Sequence, residues 1–181
     1  ETRVENILKV ICPIRENVVW AGDFTYFWFI DRFWYLATVI DVYTRETVGW
    51  HIANHHTTSL IIDAFGDAAR RTRAASTYFH SDQGSEYVSG AYESLLASYG
   101  TTPSHSRKGS PWQNGLQESF YSNFKLELGD IKRFDNIGQL IEAVHRHIHY
   151  YNNERIHSAL RMPPTLFRNR PENKITAAAA A

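Results

Sequence analysis

The most constraining feature of the sequence is a change of hydrophobic period after residue 53. Residues 17–53 hold three runs rich in β-branched and aromatic residues, joined by short polar links, which predicts an antiparallel meander. From Ser59, the expected N-cap, apolar residues recur at helical spacing until Arg70 and Arg71. A strand, a helix and a strand are then predicted at 76–80, 92–99 and 101–106. This order predicts an α/β fold with a mixed five-stranded sheet flanked by helices.

The second half of the chain is predicted to be mainly helical. Two glycines and a proline without apolar period make residues 107–115 a loop. A helix should follow, with Glu118 and Lys125 on one face and an apolar stripe on another; the stripe is Leu116, Phe120, Phe124 and Leu128. Asp135 is expected to cap a further amphipathic helix. The predicted units are a lead-in at 1–16, a core at 17–130, a helical extension at 131–168 and a tail at 169–181 whose five alanines resemble an expression scar or unassigned residues.

Composition and charge limit the possible classes of protein. With 43% hydrophobic residues among 181, the chain can bury a core, so general disorder is excluded. The single cysteine excludes an internal disulfide, and without a long apolar run we expect a soluble intracellular protein. A net charge of zero argues against a nucleic-acid partner. Residues 101–181, however, hold 11 basic and 7 acidic side chains, so a basic surplus lies in the second half.

Three acidic residues stand at positions that a mixed sheet brings to one edge. Asp23 lies within the first predicted strand, Asp82 just beyond the fourth, and Glu118 on the first turn of the helix after the loop. Clustered carboxylates repel one another unless cations neutralise them, and oxygen ligands favour hard ions, so the trio predicts bound Mg²⁺ or Mn²⁺. The alternative is that each acid is an ordinary solvated side chain, since 19 acids allow many trios.

Several ordered blocks of sequence resemble a known family. They are WAGDFTY at 20–26, IDVYTRETVGW at 40–50, HSDQGSEY at 80–87, SRKGSPWQNGLQESF at 106–120, YYNNERIHSAL at 150–160 and PTLF at 164–167. Together they are similar to the integrase-like catalytic core of bacterial insertion-sequence transposases with the DDE motif. Thirty-five residues separate Asp82 from Glu118, the interval typical of that group. Gln113 and Gly115 depart from the Asp and Ala often found there, which leaves the acids intact.

The resemblance implies an RNase H-like fold and metal-dependent cleavage and joining of DNA. Asp23 would be shared by two ions, with Asp82 and Glu118 each completing one site. Water would first expose a 3′-OH at the element end, and that hydroxyl would then attack another strand. The implied partners are transposon ends, target DNA and further copies of the chain, in the bacterial cytoplasm near the nucleoid. The family also has an upstream DNA-recognition region, so the chain is expected to be a fragment or to depend on a partner.

Five further residues are candidates for DNA contact, each with an ordinary alternative. Lys125, two turns beyond Glu118, could meet a phosphate or be a solvated lysine. Arg107 and Lys108 could clamp DNA or simply be solvated. Asn114 could orient substrate, although a helix cap is the favoured role. His80 could contact phosphate or metal-bound water, although packing within the fold is favoured.

Three hypotheses of function stay open from the sequence. The leading one is the catalytic domain of a DDE transposase. The second is a nuclease of the same fold that cuts without joining, and the third is an inactive DNA-binding or assembly module, whose expected sign would be a lost acid. His145 and His149, at i and i+4, could suggest zinc, but without a third ligand at metal spacing an ordinary amphipathic helix is favoured.

Overall fold

The computed structural model describes residues 6, 8, 11–106 and 115–173. The strands in this part are β1 (Val19–Phe29), β2 (Arg32–Asp41), β3 (Thr47–Ala53), β4 (Tyr78–Ser81) and β5 (Thr102–His105). The helices are α1 (Thr58–Thr72), α2 (Gly90–Ser98), α3 (Gly115–Leu128), α4 (Ile137–Asn153) and α5 (Pro164–Arg168), with a 3₁₀ turn at Ile131–Arg133 before α4. No helix among these residues is both long and apolar enough to span a bilayer.

The strands form one mixed sheet in the order β3-β2-β1-β4-β5. Neighbours among β1, β2 and β3 are antiparallel, whereas β4 is parallel to β1 and β5 is parallel to β4. The predicted meander and mixed five-stranded sheet are therefore confirmed. The strand bounds differ from the predicted ones by one or two residues, because side-chain alternation does not mark the last ladder hydrogen bond.

Helices cover both faces of the sheet, and each face has its own apolar core. On one face Trp20 and Phe79 pack with Phe65 of α1 and Leu96 of α2. On the other face lie buried side chains from β1, β2, α3 and α4; they include Phe27, Leu36, Ile40, Phe124, Val144, Ile148 and Tyr151. Because alternate residues of a strand point to opposite faces, β1 and β2 contribute to both cores.

The predicted caps of two helices are wrong by one or two residues. Helix α1 follows Thr57 rather than Ser59 as its N-cap. Helix α4 is capped by Asn136, whose side-chain oxygen accepts the Gln139 N–H at 3.1 Å, while Asp135 accepts from the Gln139 amide at 3.2 Å. Ser, Thr, Asn and Asp all serve as caps, so a run of them leaves the first helical residue ambiguous in sequence.

The hairpin of β1 and β2 extends beyond the rest of the sheet. β1 pairs with β4 only from Val19 to Ala21, whereas its pairing with β2 continues to Phe29. Trp28, in the protruding half, is 60% exposed and belongs to neither apolar core. Trp20 is fully buried, and Trp34 and Trp50 are partly buried. Past Ala21, no described strand covers this edge of β1.

Candidate active site

Asp23 lies on β1 just past the last residue that pairs with β4. The preceding residue, Gly22, lies against the ring of Phe79, and a Cβ there would come within 2.2 Å of Phe79 Cζ. Only glycine therefore lets this ring lie across β1. A carboxylate oxygen of Asp23 accepts the Phe24 N–H at 2.8 Å, and the side chain is partly buried.

Asp82 follows the last residue of β4, as predicted, in a turn that its own atoms stabilise. Its Oδ1 accepts the Gly84 N–H at 2.9 Å. Its backbone oxygen accepts the Ser81 hydroxyl at 2.9 Å and lies 3.1 Å from His105 Nδ1. Burial lowers the pKa of His105, so the ring beside this turn tends to be neutral. The turn therefore holds Asp82 at the strand end in a defined position.

Glu118 is an exposed residue on the first turn of α3, also as predicted. Two buried polar residues on the same helix, Gln117 and Tyr121, tie α3 to the sheet. Gln117 Nε2 donates to the Ala21 carbonyl at 2.6 Å, and the Tyr121 hydroxyl donates to the Asp23 carbonyl at 2.7 Å. Thr38 of β2 joins them, since its hydroxyl donates to Gln117 Oε1 at 3.2 Å and lies 2.8 Å from the Tyr121 hydroxyl. We call Thr38, Gln117 and Tyr121 the polar clamp.

The polar clamp was not predicted from the sequence. Leu116 was expected in the apolar stripe of α3, but it is only partly buried, whereas Gln117 is completely buried. The buried residues of α3 are Gln117, Phe120, Tyr121, Phe124 and Leu128. The interval between Gln117 and Tyr121 is one helical turn, so their shared face was readable from the sequence, but a glutamine is not normally counted as a core residue.

The three acids interact electrostatically. The pKa of Asp23 is raised from 3.8 to about 7, first by burial and further by the negative charges of Asp82 and Glu118, while the hydrogen bond from Phe24 opposes the shift. Among the described residues, no group of three or more His, Cys, Asp or Glu side chains is placed closely enough to hold a metal ion. Asp23 is therefore a poorly solvated carboxyl group that feels the charges of two more accessible acids, Asp82 and Glu118.

The pKa of Asp23 predicts how the metal-free protein responds to pH. The folded pKa of about 7 exceeds the unfolded value near 3.8, so the contribution to stability is complete below pH 4 and is lost as pH rises through 7. In EDTA, we expect the free energy of unfolding to fall by about 2 kcal/mol between pH 5 and pH 8 from this group. Asp23→Asn should remove that component. Urea titrations at both pH values measure the free energy of unfolding. The surface control Asp63→Asn should keep the pH dependence of the wild type. The same pH dependence in Asp23→Asn would contradict the raised pKa of Asp23.

The predicted DNA contacts have different outcomes. His80 is completely buried, with Nδ1 2.9 Å from Ser104 Oγ, so the packed alternative applies and contact with DNA is withdrawn. Lys125 is exposed on α3 near Glu118, and its Nζ lies 5.5 Å from the ring centre of Tyr26. Partial burial lowers the pKa of Lys125. Arg107, Lys108 and Asn114 lie outside the described residues.

The predicted histidine pair on α4 gives no sign of a zinc site. His145 and His149 are both exposed, and the ring of His145 lies 6.2 Å from that of Trp50. His149 Nδ1 is 3.3 Å from the Asn153 amide nitrogen. The buried residues of α4 are Leu140, Ala143, Val144, Ile148 and Tyr151, and both histidines lie on its exposed side, which is the arrangement of an amphipathic helix.

Comparison with known families decides the classification. A model described as an integrase core domain matches residues 13–111, and a second integrase core domain model matches residues 99–164. The chain is 36% identical to the transposase of insertion sequence element IS904 from Lactococcus lactis over 87% of its length. The chain belongs to the integrase-core transposases of bacterial insertion sequences. It covers 62% of the IS904 protein, and 56% of the putative transposase InsK of IS150 from Escherichia coli, to which it is 31% identical.

Solved structures place this family member in the RNase H-like fold. The HTLV-2 integrase catalytic core domain, determined in complex with magnesium, superposes with a TM-score of 0.70 at 18% identity, covering 86% of this chain and 99% of that one. A chain of the simian T-cell lymphotropic virus intasome gives a TM-score of 0.78 at 16% identity, covering 93% of this chain and 58% of that one. At such identities the likeness establishes the fold alone.

Proposed function

We propose that the chain is the catalytic domain of a DDE transposase, which cleaves DNA at the 3′ ends of its element and joins them to target DNA. The observation that carries the proposal is the placement of the acids: Asp23 lies on β1, Asp82 follows the adjoining strand β4, and Glu118 lies on the helix that the polar clamp joins to β1. The charges of Asp82 and Glu118 help burial to raise the pKa of Asp23. A bound cation would relieve this repulsion, so the three groups fit a metal-dependent site.

The three acids also fit the chemistry of Mg²⁺ or Mn²⁺, because their donors are all oxygens. Asp23, Asp82 and Glu118 would hold the ions, which when bound supply Lewis-acid stabilisation to displacement at phosphorus. The chain's own residues fix the geometry: the turn at Asp82 and the polar clamp hold two of the acids relative to β1. Lys125, on the same helix as Glu118, binds a phosphate near the scissile bond.

Branched DNA provides the sharpest test of joining. In a branched duplex that imitates the joined product, a transposase runs the reaction backwards: the 3′-OH at the branch attacks the junction phosphodiester, a new phosphodiester forms and the other strand leaves with its 3′-OH. With Mg²⁺ or Mn²⁺, we expect a religated continuous strand. A nuclease would give hydrolysed fragments only, and an inactive assembly module would give neither product. This substrate does not require recognition of an element end.

Lys125 is expected to contribute one phosphate contact. Lys125→Met keeps an apolar side chain against Tyr26 but removes the charge, so affinity for DNA should fall similarly for all sequences. The slope of log affinity against log salt should become shallower by about one unit. The slope is measured by fluorescence anisotropy of a labelled duplex in EDTA, at salt concentrations from about 50 to 200 mM. Lys132→Met on the 3₁₀ turn is the matched control and should keep the wild-type slope. Equal slopes for wild type and Lys125→Met would show that Lys125 makes no phosphate contact.

We further propose that the domain acts as part of a homo-oligomer on DNA in the bacterial cytoplasm. End recognition would come from a region beyond this chain, since the chain covers 62% of the IS904 transposase. The neutral net charge supports this division of roles, because a neutral domain binds duplex DNA weakly by itself.

A further inference from the structure

The protruding half of the hairpin carries an exposed aromatic surface next to the candidate active site. Tyr26 and Trp28 of β1 are 56% and 60% exposed, and Phe33 of β2 is 42% exposed. Trp28 pairs across the strands with Phe33, and Tyr26 pairs with Tyr35. We call Tyr26, Trp28 and Phe33 the aromatic platform.

The rings of the aromatic platform support one another. Trp28 and Phe33 meet edge to face at 4.8 Å between ring centres, and Tyr26 and Phe33 do so at 5.4 Å. Cross-strand aromatic contacts of this kind hold side chains in place although they are exposed. A pre-ordered aromatic surface loses little conformational freedom when a flat ligand binds. The geometry therefore suits a planar ligand better than a flexible aliphatic one.

The platform lies beside the open edge of β1 that also carries Asp23. Tyr26 is three residues beyond Asp23, about 10 Å along the strand, and its side chain points to the opposite face of the sheet, so a ligand would reach both by passing round this edge. Lys125 Nζ is 5.5 Å from the ring centre of Tyr26 and 5.8 Å from that of Phe27, whose side chains point to opposite faces. The ammonium group therefore lies at the edge of β1, next to the platform and on the helix that carries Glu118. No described strand covers this edge past Ala21.

Aromatic faces beside a cation match the chemistry of a nucleotide. A base stacks on an aromatic ring whatever its sequence, and a lysine meets the phosphate. The charged groups at the tip of the hairpin, Asp31 and Arg32, lie 3.4 Å apart as a pair and largely offset each other. The His56 ring stacks on Tyr35 at 5.3 Å between ring centres, and its Nε2 lies 3.1 Å from Glu86 Oε1.

We propose that the aromatic platform is a stacking site for unpaired bases of the DNA strand whose phosphate Lys125 holds. This inference rests on the proposed function, since it assigns a substrate region of the same site. It explains why three large aromatic side chains stay exposed on a hairpin that the fold could have covered. Stacking there would hold strand ends apart from their complement near the acids.

Binding of single strands with and without bases tests the proposal. The probes are labelled dT15 and a strand of equal length made of abasic residues, which keeps the phosphates and removes the bases. In EDTA, the wild-type chain should prefer dT15, and Trp28→Leu should lose about 5- to 100-fold in affinity for dT15 but not for the abasic strand. Lys125→Met should weaken both strands by a similar factor.

Two controls separate the possible outcomes. Tyr99→Leu removes an aromatic ring that is 48% exposed at the C-terminal end of α2, away from the hairpin, and it should leave the preference for bases unchanged. Equal affinity of wild type and Trp28→Leu for dT15 would overturn the proposal. If sedimentation shows a dimer that only Trp28→Leu dissociates, the platform binds a second copy of the chain rather than DNA bases, which would also overturn it. These binding measurements do not depend on catalysis. A chain that binds bases through the platform but fails to join branched DNA would therefore contradict the proposed function without contradicting the stacking site.

Discussion

Asp82→Asn should abolish cleavage and joining while leaving the fold intact. Asparagine retains an oxygen that can accept the Gly84 N–H, now at 2.9 Å from Asp82 Oδ1, so the turn after β4 keeps its hydrogen bond. The substitution removes one negative charge from the proposed metal site. Loss of one neutral transition-state donor in an enzyme costs roughly 10²–10³ in rate, so removal of a charged ligand should cost at least about 10³.

The measurement is religation of branched DNA in Mg²⁺, together with melting curves with and without the ion. Wild type should gain stability from Mg²⁺ by mass action, whereas Asp82→Asn should gain little. Asp63→Asn, the same substitution on the exposed surface of α1, should behave as wild type. Full activity of Asp82→Asn in Mg²⁺ would remove Asp82 from the proposed site.

Gln117→Leu should give the second large effect, because it breaks the polar clamp without a great change of volume. The Ala21 carbonyl loses its buried side-chain donor, and the Thr38 hydroxyl keeps only its contact with Tyr121. Leaving a buried polar group unsatisfied costs roughly 1–3 kcal/mol, so we expect a loss of about 2 kcal/mol in the free energy of unfolding. Glu118 is the next residue on α3, so loss of the Gln117 contacts should displace its carboxylate. At a temperature where the variant is folded, religation should therefore also fall, by about 10²-fold if the carboxylate moves by about 1 Å.

A milder change in the polar clamp tests the position of α3 with little loss of protein stability. Tyr121→Phe keeps the ring but removes the hydroxyl that donates to the Asp23 carbonyl, and it should cost about 1 kcal/mol. Tyr150→Phe, on the exposed side of α4, is the matched control and should cost nothing measurable. Wild-type stability and activity in both Gln117→Leu and Tyr121→Phe would show that α3 is held by its apolar contacts alone.

The sheet and the placement of the three acids on it could be predicted because their signals are local and ordered. The strands of the meander are dense in β-branched and aromatic residues, and the blocks around Asp23, Asp82 and Glu118 carry the family resemblance at the right interval. The polar clamp could not be predicted in the same way. Its partners Ala21, Thr38 and Gln117 are far apart in sequence, and which carbonyls a buried amide meets depends on how α3 packs against the sheet.

The exposure of Trp28 was equally hidden from sequence. Alternation along β1 indicates which residues share a face, but the length of β4 decides how far that face is covered, and β4 has only four residues. The predicted units at 17–130 and 131–168 stay a prediction. Arg107, Lys108 and Asn114 likewise stay proposals for DNA contact.

The late position of α4 in the chain has a consequence for synthesis on the ribosome. Leu36 and Ile40 of β2 are covered by side chains of α4 such as Leu140 and Val144, which are made about 100 residues later. At 5–20 residues per second, this apolar face stays without its partner for about 5–20 seconds in each new chain. During that interval the nascent hairpin is a target for chaperones and for aggregation. This apolar face of the sheet is therefore completed only after α4 has been synthesised.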